Sequence, residues 1–258
     1  MTRLVILRPL FKDYTYTMRR GLAKGLKRKG GMSFVPSWGT PSKEDEFLKQ
    51  LDLTGKTVFD IGAFEGVFTL FFAQAVGPTG TVYTFEPNPI NYSRTLENVV
   101  LNDFNHVQVF NTALGEVAGR LSLMFSAFEA GSGSLHAEVQ TKFSDADKPL
   151  QAQVSVDTLD NQMTTHNLSI PDLIKLDVEG FEPKVLRGMQ SLLAKVRPAF
   201  FIELHGFMLT TERTNYWREL VEPLLSLGYE IKHIETDQSI SLKMTTPPLS
   251  GHLYCQVT

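Results

Sequence analysis

The first element with the chemistry of a binding site is a strand that runs into a glycine-containing turn. The segment VFDIGAFEGVF places Asp60 near the end of the strand and Gly62, Ala63 and Gly66 in the turn before a helix. Small residues let a ligand approach the backbone, and a helix N-terminus offers free amide donors. Asp60 would keep the loop in shape and take a ligand ammonium directly or through water. The alternative interpretation is a plain strand-to-helix turn without a ligand.

The spacing of this turn and the next acidic residue together indicate which cofactor fits. A dinucleotide fingerprint would also need glycines at positions 64 and 67, where the chain has Phe64 and Val67. Glu86, in FEPNP at the end of the second strand, suits the two hydroxyls of an unphosphorylated ribose. S-adenosylmethionine combines an amino-acid end, such a ribose and an adenine. Weaker candidates for cofactor contacts are Phe64, Asn88 of FEPNP and Ala113 in the 111–114 loop.

A third segment, IKLDVEGFEPKVLRGM, carries charged residues on a strand that otherwise reads as buried. Alternation places Lys175 and Asp177 on one face, and a buried lysine needs an acidic partner, for which Glu203 is the candidate. Asp177 lies at the carboxyl end of the strand, where open α/β sheets bind ligands, so we expect it beside the transferable methyl group. Glu179 points into the same crevice or caps the following helix. Glu182 is expected only to charge the start of that helix.

The fourth segment, FIELHG, brings Glu203 and His205 to the same edge of the sheet. Transfer of a methyl group to an alcohol requires removal of a proton, and a histidine with an ordinary pKa suits that base. The alternative is a histidine that only makes structural hydrogen bonds. We assign no metal, although Asp177, Glu203 and His205 are the set that would gather a divalent ion.

These residues lie on a regular alternation of strands and helices after about residue 42, which predicts an α/β fold with a mostly parallel sheet and helices on both faces. The main strands are predicted over 57–61, 81–86, 107–114, 173–177, 199–204, 229–234 and 252–257. Helices are predicted over 42–51, 65–75, 183–196 and 214–227, with a further one ending near residue 101. The last two strands lack an intervening helix, which suggests an antiparallel ending.

Two regions depart from this alternation. Residues 119–156 are predicted to form an inserted hairpin or lid, with strands over 121–125 and 151–156 and the sequence Gly131 to Ser134 between them. The alternative for that sequence is a flexible turn. Residues 1–41 are predicted as an N-terminal extension, with a basic helix over 15–28 and a linker over 30–41. The remaining residues, 42–258, would form the main domain.

Composition excludes several classes of protein. The 258-residue chain has a single cysteine, Cys255, which rules out a disulfide scaffold and a zinc finger. No apolar stretch approaches the ~20 residues of a membrane span, and the apolar patch at the start is too short for a signal peptide. We therefore expect a cytoplasmic protein.

The N-terminal segment has a charge opposite to that of the rest of the chain. Residues 1–30 hold nine basic residues and one acidic residue, a formal charge of +8, so the remainder carries −11. Such a segment is a candidate for peripheral contact with membrane phosphates, nucleic acid or an acidic partner. The alternative is a solvated helix packed on its own domain.

Taken in order, VFDIGAFEG, FEPNP, NTALG, SVDTLD, IKLDVEGFEPKVLRGM and FIELHG resemble the FkbM-type family of S-adenosylmethionine-dependent methyltransferases, over about residues 54–206. The resemblance implies a class I methyltransferase, Rossmann-like fold of seven strands with a reversed last strand. It also implies O-methylation of a hydroxyl on a sugar, lipid or natural-product-like small molecule. Carried over by position, the cofactor residues are Asp60, Gly62, Ala63, Gly66 and Glu86, and the active-site residues are Asp177, Glu179 and His205.

Two other functions remain as alternatives. A nucleic-acid methyltransferase would hold phosphates with the basic segment, but the fourth strand ends in LDVEG rather than the Asn/Asp-Pro-Pro-aromatic signature of exocyclic-amine methylation. A non-catalytic cofactor-binding module would retain the fold without turnover. The motifs name neither the acceptor nor an oligomeric state.

Overall fold

The structure is a computed structural model that describes residues 13–30, 42–126, 133–142 and 149–257. Its strands are β1 (Thr15–Thr17), β2 (Lys27–Lys29), β3 (Thr57–Ile61), β4 (Thr81–Phe85), β5 (Val107–Phe110), β6 (Ala113–Leu114), β7 (Gly119–Ser126), β8 (Gly133–Ser134), β9 (Pro149–Asp157), β10 (Leu173–Leu176), β11 (Ala199–Glu203), β12 (Glu230–His233), β13 (Gln238–Ser239) and β14 (His252–Gln256). Its helices are α1 (Lys43–Leu48), α2 (Val67–Val76), α3 (Pro89–Leu101), α4 (Ala137–Gln140), α5 (Leu159–His166), α6 (Glu182–Arg187), α7 (Gln190–Lys195) and α8 (Arg213–Ser226), with a 3₁₀ turn at Gly206–Met208.

The central sheet has the strand order β5-β4-β3-β10-β11-β14-β12-β13. Strands β5, β4, β3, β10 and β11 are parallel, whereas β14 is antiparallel to both of its neighbours, β11 and β12. The predicted mostly parallel sheet with a reversed last strand is therefore confirmed. The two-residue edge strand β13 adds an eighth strand to the seven predicted ones, because it continues β12 through a tight turn.

Alternation along the central strands divides the core between the two faces of the sheet. Phe59 and Ile61 of β3 pack in one apolar cluster with Leu220 of α8, while Val58 packs in the other with Phe72 of α2. Asp60 consequently shares the α2 face with Val58. This placement puts a carboxylate inside the packed layer rather than at its rim.

Outside the insertion, where the short helix α4 lies, most helix positions after residue 42 follow the sequence prediction, with one break and one addition. Ser42 caps α1 as expected, since its hydroxyl accepts a hydrogen bond from Asp45 N at 3.0 Å. The helix predicted over 183–196 is divided into α6 and α7 near Gly188, where a Cβ would lie 1.9 Å from the Gly115 carbonyl oxygen. The close crossing of that loop explains the break. Helix α5, capped by Thr158, was not predicted.

The predicted insertion is a hairpin within a second, smaller sheet. Strands β7 and β9 pair antiparallel along their length, and the full order is β6-β9-β7-β8. The strand predicted over 107–114 divides between the two sheets, because Asn111 turns away and its Nδ2 donates to the carbonyl of Glu86 at 2.9 Å. Gly133 and Ser134 form β8, whereas Gly131 and Ser132 lie outside the described residues.

The prediction of a basic helix over 15–28 is wrong. Strands β1 and β2 form an antiparallel hairpin instead, because the turn between them needs the positive φ of Gly21 and Gly25, which interrupts a helix. Tyr16 and Met18 pack against Leu70 of α2, so the hairpin lies on the main domain. Residues 1–12 and 31–41, which hold the rest of the predicted extension and nearly all of the linker, lie outside the described residues.

Within the described ranges of the chain, no helix is both long enough and apolar enough to cross a membrane.

The ends of β3 and β10 approach each other unusually closely at Gly62. Its φ is +83°, and a Cβ there would lie 1.7 Å from the carbonyl oxygen of Asp177. On the same side, Asp177 N donates to the carbonyl of Ile61 at 3.0 Å. Glycine is therefore required twice at this position, by its backbone conformation and by the lack of space for a side chain.

We predict that Gly62→Ala destabilises the protein by more than about 4 kcal/mol, because the backbone of Asp177 must move to admit a methyl group. Gly228 is the matched control, since its φ is +85° and nothing lies within 4 Å of a Cβ built there. Gly228→Ala should cost only the left-handed backbone penalty of about 1–2 kcal/mol. Urea unfolding followed by circular dichroism measures both values, and equal losses would contradict the close approach.

Candidate active site

A single pocket lies at the carboxyl ends of β3, β4 and β10 and is covered by the insertion. The space within it is about 660 Å³ when the open mouth is counted. Seven of the eleven predicted cofactor and catalytic residues line it: Gly62, Phe64, Glu86, Asn88, Ala113, Asp177 and Glu179. Asp60, Ala63, Gly66 and His205 are not on its wall.

The lysine in the fourth parallel strand forms an ion pair, as predicted, but with other partners. Lys175 Nζ lies 3.4 Å from Asp60 Oδ1 and 3.1 Å from Asp177 Oδ2, and it donates to the Gly62 carbonyl at 2.9 Å. Glu203 is therefore the wrong partner. Lys175 is in register with Asp60 on β3, whereas its neighbour on β11 is Phe201, two residues short of Glu203.

Lys175 and Asp60 are almost fully buried in this ion pair, which favours the charged forms of Lys175 and Asp177. Burial opposes the charge on Lys175, but Asp177 and Asp60 raise its pKa above the ordinary value. Burial likewise opposes ionisation of Asp177, yet the Lys175 ammonium keeps the pKa of that carboxyl below its usual range. Asp60 also accepts a hydrogen bond from the Thr69 hydroxyl at 2.6 Å. It lies behind the glycine turn, where it shapes the loop.

Glu86 braces the glycine turn from the second strand. One carboxylate oxygen accepts a hydrogen bond from Phe64 N and the other from Asn88 N, both at 2.8 Å. These bonds hold Phe64 in a left-handed backbone conformation with φ +53°. Burial raises the pKa of the Glu86 carboxyl to about 7, although the two amides oppose the shift. Glu86 is thus a buried acid on the wall of the pocket.

Asn88 presents an unused donor to the same part of the pocket. Its Oδ1 caps α3 by accepting from Ile90 N at 2.9 Å, while its Nδ2 makes no hydrogen bond to any residue that the structure describes. The side chain is almost completely buried. A buried amide donor without a partner is costly, so a ligand atom is expected to satisfy it.

His205 is fixed by two residues to which the sequence analysis gave no such role. Its Nδ1 lies 2.9 Å from Glu182 Oε1, and Tyr216 donates to Glu182 Oε2 at 2.9 Å. The Tyr216 hydroxyl also accepts from His205 N at 3.1 Å. Glu182 was expected only to charge the start of a helix; instead it is fully buried and orients the imidazole. No sequence signal places Tyr216 here, because its position depends on how α8 packs against α6.

The other imidazole nitrogen faces three carboxylates. His205 Nε2 lies 3.7 Å from Asp177 Oδ1, 3.5 Å from Glu179 Oε2 and 3.8 Å from Glu203 Oε1. Burial opposes the charge on His205, but the surrounding acids raise its pKa to about 10. The expectation of an ordinary histidine pKa is therefore wrong. In this arrangement the imidazole carries both protons near neutral pH.

Glu179 connects this cluster to the pocket and to the insertion. It lies on the pocket wall with a left-handed backbone, φ +53°, and its carbonyl accepts from the Ser134 hydroxyl at 2.7 Å. Burial raises the pKa of its carboxyl to about 7, with His205 opposing the shift. Of the two expected alternatives, crevice or helix cap, the structure places Glu179 in the crevice, where Ser134 of β8 bonds to its backbone.

Comparisons with known proteins agree with this architecture. The family model described as the methyltransferase FkbM domain matches residues 60–231. "Methyltransferase 1" of Beauveria bassiana is 33% identical over 144 residues, which cover 51% of this chain and 57% of that protein. "2-O-methyltransferase NoeI" of Sinorhizobium fredii is 26% identical over 160 residues, which cover 59% and 65%. These matches span less than two thirds of the relatives' own length.

Two solved structures share the fold. The FkbM methyltransferase of Methylobacillus flagellatus aligns with a TM-score of 0.51 at 19% identity and covers 81% of this chain and 45% of its own. The O-methyltransferase of Bacillus cereus, in complex with SAH, aligns with a TM-score of 0.50 at 14% identity over 88% and 86%. The sheet is thus that of a class I methyltransferase.

We predict that Lys175→Met lowers the free energy of unfolding by about 3–5 kcal/mol, because it leaves the buried carboxylates of Asp60 and Asp177 without their cation. Lys56→Met is the matched control, since Lys56 forms a half-exposed ion pair with Asp172 at 3.0 Å. Its loss should be at most about 1 kcal/mol. Urea unfolding measures the free energy of unfolding of both variants. Similar decreases would show that the buried ion pair stabilises the protein no more than the exposed one.

Proposed function

This chain belongs to the FkbM methyltransferase family, and from that premise we propose that it is an S-adenosylmethionine-dependent O-methyltransferase. The proposed acceptor is a hydroxyl on a sugar, lipid or natural-product-like small molecule. Support for a hydroxyl acceptor comes from the relative whose name is 2-O-methyltransferase. The observation that carries the proposal is one continuous pocket that joins Glu86 and Asn88 at one end to Asp177 and Glu179 at the other.

The residues at the first end fit the cofactor. Glu86 offers buried carboxylate oxygens to the two ribose hydroxyls, and the unused Nδ2 of Asn88 is a donor for a polar atom of the nucleoside. Gly62, which has no side chain, lets the cofactor approach the backbone beside them. Asp60 lies behind this surface, so we propose that it acts on the cofactor's amino-acid end through water rather than by direct contact.

The residues at the second end fit an acceptor hydroxyl. When bound, the cofactor supplies a methyl group on a positively charged sulfur. We propose that Asp177 and Glu179 orient the hydroxyl and that Glu179 accepts its proton, because Glu179 is on the pocket wall. The hydroxyl oxygen then forms the new bond to the methyl carbon as the carbon–sulfur bond breaks and the sulfur becomes neutral. His205, the base predicted from sequence, lies behind these groups and positions them.

Glu86→Ala is expected to weaken binding of S-adenosylhomocysteine by about 10- to 100-fold, because charge-assisted hydrogen bonds to the ribose are lost. Isothermal titration calorimetry measures the affinity. Glu97→Ala, an exposed acid on the neighbouring helix α3, is the control and should bind as the wild type does. An unchanged affinity in Glu86→Ala would place the ribose elsewhere.

The affinity for S-adenosylhomocysteine should also depend on pH. Glu86 has a raised pKa of about 7, and its ionised form accepts both ribose hydroxyls. Affinity should therefore be constant above that pKa and fall as pH decreases below it, by about tenfold between pH 8 and pH 6. Glu86→Gln cannot titrate and should show a flat profile. A slope that persists in Glu86→Gln would assign the dependence to another group.

Methyl transfer itself is tested with cofactor carrying a labelled methyl group and a panel of sugar, lipid and natural-product alcohols. His205→Ala should lower turnover by about 100-fold or more while leaving affinity for S-adenosylhomocysteine nearly unchanged. Equal losses of affinity in His205→Ala and Glu86→Ala would overturn this division of roles. Binding without labelled product across the panel would favour a cofactor-binding module.

A further inference from the structure

We propose that Asp177, Glu203 and His205 bind a divalent cation of the Mn²⁺ type at the acceptor end of the pocket. The sequence alone gave these residues as an alternative set of metal ligands, and the structure adds the geometry that supports them. The catalytic purpose of this cation rests on the proposed function, whereas its binding does not.

The spacing of the three ligand atoms fits a single ion. One nitrogen of His205 and one carboxylate oxygen from each of Asp177 and Glu203 lie within 4.8 Å of one another. His205 Nε2 is 3.7 Å from Asp177 Oδ1 and 3.8 Å from Glu203 Oε1. Atoms bound at about 2.0–2.4 Å to a common ion are separated by roughly 3–4 Å. Small side-chain movements would complete the coordination.

The orientation of His205 is an observation independent of the acidic cluster. The side chain is 3% exposed, and Glu182 holds Nδ1, so Nε2 points into the cluster. Its three carboxylate neighbours lie at 3.5–3.8 Å from Nε2, at or beyond the outer limit of a hydrogen bond. A carboxylate that fixes one ring nitrogen while the other faces a set of ligands is the usual second layer of a metal-bound histidine.

Asp177 divides its two oxygens between different partners. Oδ2 faces Lys175 at 3.1 Å, and Oδ1 faces His205. The Lys175 ammonium therefore pairs with Asp60 and with Oδ2 of Asp177, and Oδ1 of Asp177 stays available to a cation beside His205. Glu203 is held similarly, with Oε1 toward His205 and Oε2 at 3.8 Å from His252 Nε2. Both carboxylates thus present an oriented oxygen to the same point.

The charge of the cluster also favours a cation. Asp177, Glu179 and Glu203 surround one imidazole, and Glu182 lies behind it. Carboxylates packed this closely repel one another unless a positive charge lies between them. The protonated imidazole supplies that charge in the metal-free protein, and a bound cation would replace the Nε2 proton, which is released on binding. One imidazole with two carboxylates is a ligand set suited to Mn²⁺ among divalent ions, since the oxygens favour hard cations and the nitrogen favours transition metals.

Three side-chain ligands leave open coordination positions for water and for the acceptor oxygen. A hydroxyl bound there would lose its proton more readily, because the cation stabilises the alkoxide. The proton would pass to Glu179, and the oxygen would attack the methyl carbon as in the proposed function. The cation thus promotes formation of the nucleophile without changing the balance of the reaction.

The test is titration of MnCl₂ into the chelator-treated 258-residue chain by calorimetry, with the electron paramagnetic resonance signal of free Mn²⁺ as a second readout. One saturable site is expected for the wild type, with at least tenfold weaker affinity in Glu203→Gln. Glu219→Gln, an exposed acid paired with Arg187, is the matched control and should bind as the wild type does. Circular dichroism confirms that each variant is folded.

Absence of saturable binding of Mn²⁺ up to about 1 mM would overturn the proposal. Equal affinity in wild type and Glu203→Gln would also overturn it, because the ion would then bind elsewhere. The same samples are titrated with S-adenosylhomocysteine. If S-adenosylhomocysteine binds and Mn²⁺ does not, the metal site is overturned and the proposed function stands. If Mn²⁺ binds and S-adenosylhomocysteine does not, the metal site stands and the proposed function is overturned.

Discussion

A buried ammonium between two carboxylates is the constraint on which this site depends. Lys175 joins Asp60 of β3 to Asp177 after β10 and also donates to the Gly62 carbonyl. A lysine is stable inside a packed sheet only when such partners surround it. The ion pair therefore ties the two strand ends together, and the tie brings the Asp177 backbone against Gly62. Lys175 thus connects the glycine turn after β3 to the acidic residues after β10.

The two ends of the pocket, one with Glu86 and Asn88 and the other with Asp177 and Glu179, are built by different parts of the sheet. The end proposed to bind the cofactor belongs to β3 and β4, where Glu86 accepts hydrogen bonds from the backbone amides of Phe64 and Asn88. The acidic end belongs to β10 and β11. It also depends on α8, because the Tyr216 hydroxyl forms hydrogen bonds with the Glu182 carboxylate and with the backbone amide of His205. The reversed strand β14 supports this end as well, since Leu204 N donates to the Gly251 carbonyl just before it. Parallel pairing alone would not place His205.

What the sequence could predict follows from the range of the interactions. Strand β3 was predicted to the residue, because a short β-branched and apolar run between turn signals is a local property. The partner of Lys175 was not, since it depends on register: Lys175 lies opposite Asp60, and Glu203 is two residues beyond its neighbour on β11. The role of Tyr216 depends on helix packing. The hairpin over 15–29 was missed because basic composition carries no information on strand pairing.

The third wall of the pocket has a different origin from the two ends. Leu123, Gly133 and Leu135 of the insertion line it, and the Ser134 hydroxyl holds the Glu179 carbonyl. Leu123 and Leu135 take no part in the ion pair of Lys175 or in the hydrogen bonds of Glu86, so they can differ without removing either interaction. In the proposed function, the insertion would therefore select the shape of the acceptor, whereas the sheet would supply the reacting groups. Ser134 connects the insertion to the sheet, because its hydroxyl donates to the backbone carbonyl of Glu179, the residue proposed to take the proton.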